Sequence, residues 1–374
     1  MGRESDATTM TEAQDFTIRR DDWGKCKFVP SAIPSELEQG KVEFRVDRFA
    51  MTANNITYAQ VGDMIGYWKF FPAQEEGWGR IPVMGFADVI RSSHPDVPVG
   101  DRVFGFFPMS NHLIIQADRV TPDQYIDVSP HRADSALVYR TYTRAKSDPL
   151  YAADREDQHM LLWGLFMTSF MVDDFMADND LFGARAFVIS SASSKTAIAL
   201  AYMLSERGSG EVIGLTSPRN TAFVQALGYY NRTLAYDDVQ ALSADVPTAF
   251  IDHSGNGEVI SALHHHLGDK VKYSGIVGAT HWASSRPSDP LPGAAPALFF
   301  APTQIQKRSQ EWGPEGLQER IGEAWLKFRD SSGAWLTVSR GYGPEAVERV
   351  YRETLEGRAK PSDGHVLSLW EKQV

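Results

Sequence analysis

Apolar and polar positions follow two different periods in the two parts of this chain. Between residues 16 and 120 the runs are short and alternate. Glu43-Phe-Arg-Val-Asp-Arg-Phe49 is the clearest case and predicts a half-buried strand. Further strand signals lie at 79–90 around Gly85, at 99–107 after a Gly-Asp turn, and at 111–117. Short strands punctuated by turn residues predict a small β-barrel. Residues 53–68 between them are dense in Asn, Gly and aromatics, and read as a loop.

Further on the pattern changes. Phe187 to Ile189 reads as a short buried strand, Ser190 to Ser194 as a turn of small residues, and Thr196 to Leu204 as a helix packed by Ile198, Leu200, Ala201 and Leu204. A strand, a tight turn and a helix start make an anion site, because free N–H groups and the positive end of the helix dipole face whatever sits there. Glycines usually build such a turn. Serine and alanine stand here instead, so the same residues also fit a plain buried βα unit. Residues 211–220 give a second strand that ends in Thr216, Ser217 and Arg219, with no Asp or Glu between Val212 and Val224. At that place an acid would bind the ribose hydroxyl of NAD, whereas Arg beside small hydroxyls accommodates the 2′-phosphate of NADP. The plain alternative is a surface turn with an incidental arginine.

Composition narrows the classes. The 374 residues suggest two domains, and 43% hydrophobic with 23% charged residues is ordinary globular usage. A net charge of −11 argues against a general nucleic-acid binder. One cysteine, Cys26, excludes an intrachain disulfide and any multi-cysteine zinc site. Residues 1–15 are polar and read as a disordered N-terminus with no export signal. The apolar stretch 161–176 is interrupted by Asp173 and Asp174, short of the roughly 20 apolar residues of a membrane span. No membrane partner and a cytoplasmic location are expected. His264-His-His266 reads as a polar helix face, since adjacent helix residues do not converge on one metal ion.

The order of pieces resembles the medium-chain dehydrogenase/reductases. The barrel strands, the loop with Asn55, Val99-Gly-Asp-Arg-Val-Phe-Gly105, Leu165-Phe-Met-Thr-Ser-Phe170, the turn 190–196, Ala249-Phe-Ile-Asp-His-Ser-Gly-Asn-Gly257, Tyr273-Ser-Gly-Ile-Val-Gly-Ala-Thr280 and Leu298-Phe-Phe-Ala-Pro302 follow that family's sequence of motifs over about residues 40 to 370. The run Ser-Ser-Ala-Ser-Ser-Lys-Thr-Ala at 190–197 resembles an adjacent bacterial and fungal family defined as a domain of unknown function. The resemblance implies an α/β chain: a Rossmann-type, doubly wound parallel-sheet domain at 158–330, and a GroES-like β-barrel domain at 16–157 and 331–374. Within the latter, 120–157, rich in Tyr and Arg, reads as an insertion serving as a lid, a dimer contact or inert surface.

The implied function is a zinc-independent, NADPH-dependent oxidoreductase acting on a small molecule: an activated alkene, quinone or ketone. A homodimer through the cofactor-domain sheet is implied as well. The Gly66-Tyr-Trp68 stretch, followed by Phe71-Pro72 and Gly77-Trp-Gly79, resembles the loop that carries the acid in the enoyl-reductase branch, which makes Tyr67 the proton donor. A phenol suits the role because it stays protonated at neutral pH; aromatic packing is the alternative. Asn55 and Tyr58 share the catalytic loop. The implied cofactor contacts are Thr168, Ser191, Ala192, Ser193, Ser194, Lys195, Thr196, Thr216, Ser217, Arg219, Asp252, His253, Gly278, Thr280 and Phe300, with Trp282 expected nearby. No metal is expected. Two other readings use the same scaffold: an acid–base enzyme of lyase or thioester type that needs no nicotinamide, and an NADP-binding protein without turnover.

Overall fold

The computed structural model describes residues 13–60, 62–277 and 290–372. Gly278, Thr280, His281 and Trp282 lie outside them. The chain divides into two compact units: Met1–Tyr151 with Ser339–Gly357 and His365–Val374, and Ala152–Val338 with Arg358–Gly364.

The first unit is built on a closed barrel. Lys41–Met51 pairs antiparallel with Pro82–Ser92 on one side and His112–Asp118 on the other. From Pro82–Ser92 the ladder continues through Arg102–Pro108, Thr141–Arg144 and Gln124–Asp127 back to His112–Asp118, so six strands form a ring without an edge. Closure removes the row of unpaired backbone groups that an open sheet would expose. The alternating residues of 43–49 send Phe44 and Val46 inward, where Phe44 meets the rings of Phe107, Tyr125 and Tyr142 at 5.7, 6.3 and 5.1 Å. Gly85 is required by close approach: a Cβ there would lie 2.6 Å from the Arg48 carbonyl oxygen.

Three expectations change. Segment 120–157, expected as an insertion, supplies two of the six barrel strands, and its Tyr125 and Tyr142 are fully buried. Its aromatic content is core content. Residues 53–60, expected as loop, form the helix Ala53–Gln60. Asn55 is the reason, because its Oδ1 accepts from Thr52 N at 2.7 Å and so caps the helix start from the third helical position. Gln14 and Asp15, expected within a disordered N-terminus, belong to the strand Gln14–Arg19, which joins a three-stranded sheet with Cys26–Pro30 and Trp78–Gly79.

The second unit carries a six-stranded parallel sheet with Ala186–Ile189 and Thr248–Asp252 side by side at its centre. From the first of these strands the chain moves outward through Glu211–Thr216 and Arg232–Ala235. It then returns to the second and moves the other way through Val271–Ile276 and Ala297–Leu298. Both faces are covered, which explains the unbroken apolar run at 186–189. Phe187 and Ile189 pack into one cluster with Leu200, Ala201 and Leu204 of the helix Lys195–Arg207; Ala186 and Val188 pack into another with Val259 and Leu263 of Gly257–Leu267.

The helix Glu156–Asp178 is long and apolar enough by composition to cross a membrane. Its apolar residues are used inside the unit: Met160, Leu161, Leu162, Phe166 and Met171 are buried. Asp173 pairs with Arg207 at 2.6 Å and Asp174 with Arg308 at 2.7 Å, which satisfies the two charges that interrupt the apolar stretch.

Arg132 fixes the new barrel strands. It is fully buried, pairs with Asp127 at 3.1 Å, donates to Tyr142 Oη at 2.9 Å and to the Tyr139 carbonyl, and lies 4.7 Å from the centre of the Phe71 ring. Removing one partner of a buried pair strands the other charge. Arg132→Met is therefore expected to lower unfolding free energy by about 3–5 kcal/mol, read as a shifted denaturation midpoint in urea.

Candidate active site

The turn between strand and helix is where the sequence places it. Ile189 ends its strand, and Ser190 to Ser194 lead into the helix Lys195–Arg207. Ser191 has a φ of +50°, the left-handed conformation that usually selects glycine. Serine takes that position here at a cost of about 1 kcal/mol, and its N–H donates to Tyr236 Oη at 3.0 Å. Ala192 points into the core, with its N–H on the Leu215 carbonyl at 3.0 Å. It also explains Gly214 on the neighbouring strand, where a Cβ would come within 2.9 Å of the Ala192 methyl.

Ser194 caps the helix by accepting from Ala197 N at 3.3 Å. Lys195 and Thr196 then occupy the first two helical positions, whose N–H groups have no acceptor within a helix. A left-handed residue followed by a capped helix start presents backbone donors and a positive dipole end, the chemistry of an anion cradle. Ser193 Oγ is held by Asn220 Nδ2 at 3.0 Å and lies 3.4 Å from Thr216 Oγ1. This ties the turn to the end of the second strand, beside Ser217 and exposed Arg219. Asn220 and Tyr236 were not singled out from the sequence; nothing in their spacing marks them.

The Lys195 ammonium is engaged elsewhere, donating to the carbonyls of Asp363 at 2.7 Å and Pro361 at 3.3 Å. Desolvation lowers its pKa to about 8, with Asp363 opposing the shift. Thr168 Oγ1 bonds the Gly164 carbonyl of its own helix at 3.1 Å.

The two central strands are joined at their ends through side chains. Ser190 Oγ donates to the Asp252 carboxylate and accepts from His253 N at 2.9 Å. Asp252 also accepts from Ser254 N, Ser254 Oγ and Gly255 N at 3.1, 2.7 and 2.8 Å. His253 is buried; desolvation lowers its pKa to about 3, so the ring is neutral at physiological pH. Its Nε2 has no hydrogen-bond partner among the described residues. Phe300 is 49% exposed, just before the helix Ala301–Glu311.

In the barrel unit, Gly66 takes a φ of +85° and turns the chain into the short 3-10 helix Tyr67–Lys69, which buries Tyr67 and Trp68. The Tyr67 ring lies 4.5 Å from Tyr58, 5.2 Å from Phe70 and 5.7 Å from Tyr139. Its hydroxyl is 3.2 Å from that of Tyr139. Burial raises the Tyr67 pKa well above its ordinary value, so the group is protonated at neutral pH. Tyr58 is raised by the same cause. Asn55 shares the segment but its amide is committed: besides the cap, Nδ2 donates to the Pro82 carbonyl at 3.0 Å.

His264 departs from the expected polar face. It is buried, with its ring nitrogens 2.9 Å from the Pro292 carbonyl and 2.9 Å from Ser274 Oγ. Among the described residues no group of three or more His, Cys, Asp or Glu could hold a metal ion.

Solved structures with a similar fold are numerous. CurA from Vibrio vulnificus, in complex with NADPH, is 12% identical with a TM-score of 0.58, covering 96% of this chain and 100% of its own. A mutant form of the enoyl thioester reductase from Candida tropicalis is 13% identical with a TM-score of 0.55, covering 96% and 100%. The human synaptic vesicle membrane protein VAT-1 homolog-like protein is 13% identical with a TM-score of 0.55, covering 97% and 100%. These likenesses establish a Rossmann-type sheet domain plus a GroES-like barrel. No curated protein matches the chain. A family profile matches residues 49–360, and the chain belongs to that family, described as "Protein of unknown function (DUF2855)".

Proposed function

We propose that this protein is an NADPH-dependent oxidoreductase that reduces an activated alkene, quinone or ketone, with a phenol in place of a metal as its acid. The observation that carries this reading is the turn at 190–196 with left-handed Ser191, a capped helix start and the Thr216-Ser217-x-Arg219 strand end tied to it through Ser193. The residues fit a dinucleotide. Lys195 and Thr196 N–H groups would hold the pyrophosphate, and Thr216, Ser217 and Arg219 the adenosine 2′-phosphate. His253 Nε2, buried and without a hydrogen-bond partner among the described residues, would serve the ligand as well. The NADPH carried by CurA supports the same choice of cofactor.

Bound NADPH supplies hydride. The chain's own part is the proton. Reduction of a polarised double bond leaves an enolate or alkoxide, and a protonated phenol donates to either. Tyr67 is held in that state by burial among Tyr58, Phe70 and Tyr139. A homodimer belongs to the same proposal. The strand Ala297–Leu298 is at the edge of the parallel sheet, and Leu298 is 57% exposed.

Titration with NADPH and NADH, followed by tryptophan fluorescence, is expected to show saturable binding with NADPH preferred. Absence of binding to both would overturn the cofactor assignment. Arg219→Ala is expected to weaken NADPH about tenfold or more and to leave NADH unchanged; equal losses would remove the 2′-phosphate contact. Tyr67→Phe is expected to lower turnover about 10²–10⁴-fold at unchanged NADPH affinity. Undiminished turnover would discard Tyr67 as the acid, and turnover without any nicotinamide would favour an acid–base enzyme on this scaffold.

A further inference from the structure

A buried acid has a difficulty that the proposed reaction does not itself solve. Once Tyr67 has given up its proton, a phenolate is left among Tyr58, Phe70 and the edge of Tyr139, where burial disfavours charge. The proton must also be replaced before the next turnover. Among the described contacts, the hydrogen-bond partner of the Tyr67 hydroxyl is the hydroxyl of Tyr139, 3.2 Å away.

Tyr139 is built to stay there. Its ring packs against Phe70 at 5.1 Å and Phe106 at 5.3 Å. Its carbonyl accepts from the buried guanidinium of Arg132. It ends the short 3-10 helix Leu137–Tyr139, and its two neighbours there, Leu137 and Val138, are 48% and 46% exposed. Tyr139 is half-buried where Tyr67 is buried, so one end of the pair is closer to water.

We propose that Tyr139 is the positioning and proton-supplying partner of Tyr67, so that the acid is a relay of two phenols. This rests on the assignment of Tyr67 as the acid. The Tyr67 O–H bond breaks as the new bond to hydrogen forms on the substrate enolate or alkoxide, and the electron pair stays on the Tyr67 oxygen. The Tyr139 proton then crosses the 3.2 Å bond to Tyr67, leaving the charge on Tyr139. Water re-protonates Tyr139 and releases hydroxide. One proton passes from solvent to substrate, and both phenols return to their starting state.

Tyr139→Phe tests this, because it keeps the ring packing and removes only the hydroxyl. Turnover is expected to fall about tenfold to a hundredfold, the effect of losing one hydrogen bond to a charged oxygen, at unchanged KM and NADPH affinity. A second measurement needs no turnover. With difluorotyrosine installed at position 67, fluorine NMR reads the ionisation of that phenol alone in the cofactor-free protein. Adding Tyr139→Phe is expected to make it about tenfold less acidic. Unchanged acidity and unchanged turnover in Tyr139→Phe, with Tyr67→Phe inactive, would overturn the relay and leave the acid assignment standing. Full turnover in Tyr67→Phe would overturn the premise itself, and the relay with it.

Discussion

Two strands that are neighbours in a parallel sheet but send the chain in opposite directions need a fastening at their ends. Here Ser190 provides it. Its hydroxyl reaches the Asp252 carboxylate of the adjacent strand and receives the His253 N–H, so a single side chain bonds both the acid and the backbone beyond it. Everything ascribed to this end of the sheet depends on that bond. It sets where Ser191 turns left-handed, and so where the helix Lys195–Arg207 begins. Asp252 gathers the N–H groups of Ser254 and Gly255, which a buried loop would otherwise leave unsatisfied. Loss of the Ser190 hydroxyl would leave a buried carboxylate short of a donor.

The serine-rich turn therefore answers to two demands that glycine meets in only one way. A glycine at 191 would take the left-handed conformation without strain. The serines at 190, 193 and 194 do what glycine cannot: Ser190 ties the strands, Ser193 holds Asn220, and Ser194 caps the helix. The turn keeps the geometry of an anion site while its side chains replace glycine's looseness with hydrogen bonds. The compensating small residue is displaced to Gly214 on the neighbouring strand, which makes room for the Ala192 methyl.

Much of this was legible in the sequence, because hydrophobic period and motif order are local signals. The strand at 187–189, the helix after it and the alternating strand at 43–49 all follow from side-chain spacing. What was not legible depends on contacts between residues far apart in the chain. The Tyr and Arg residues of 120–157 look like a surface insertion until Arg132 is seen to neutralise Asp127 in the interior and Tyr125 and Tyr142 to meet Phe44. Residues 53–60 have the composition of a loop, and only the Asn55 cap explains why they are helical. Lys195 at a helix start suggests a phosphate ligand; carbonyls more than 160 residues away claim its ammonium. Tyr67 was singled out because its surroundings in sequence resemble a known loop, but Tyr139, 72 residues later, carries no mark of its own.

The position of Tyr139 ties the chemistry to the order in which the barrel is assembled. It lies in the connection between the strands Gln124–Asp127 and Thr141–Arg144, which complete the ring. Gln124–Asp127 forms a local hairpin with His112–Asp118, but Thr141–Arg144 also closes onto Arg102–Pro108 well upstream, so the ring closes late in any pathway that forms local hairpins first. A barrel lacking these two strands would have its first four strands and Tyr67, but no second phenol and an open edge. The segment that completes the backbone is also the one that completes the phenol pair. Truncated or incompletely folded copies of the chain would thus carry Tyr67 without its partner.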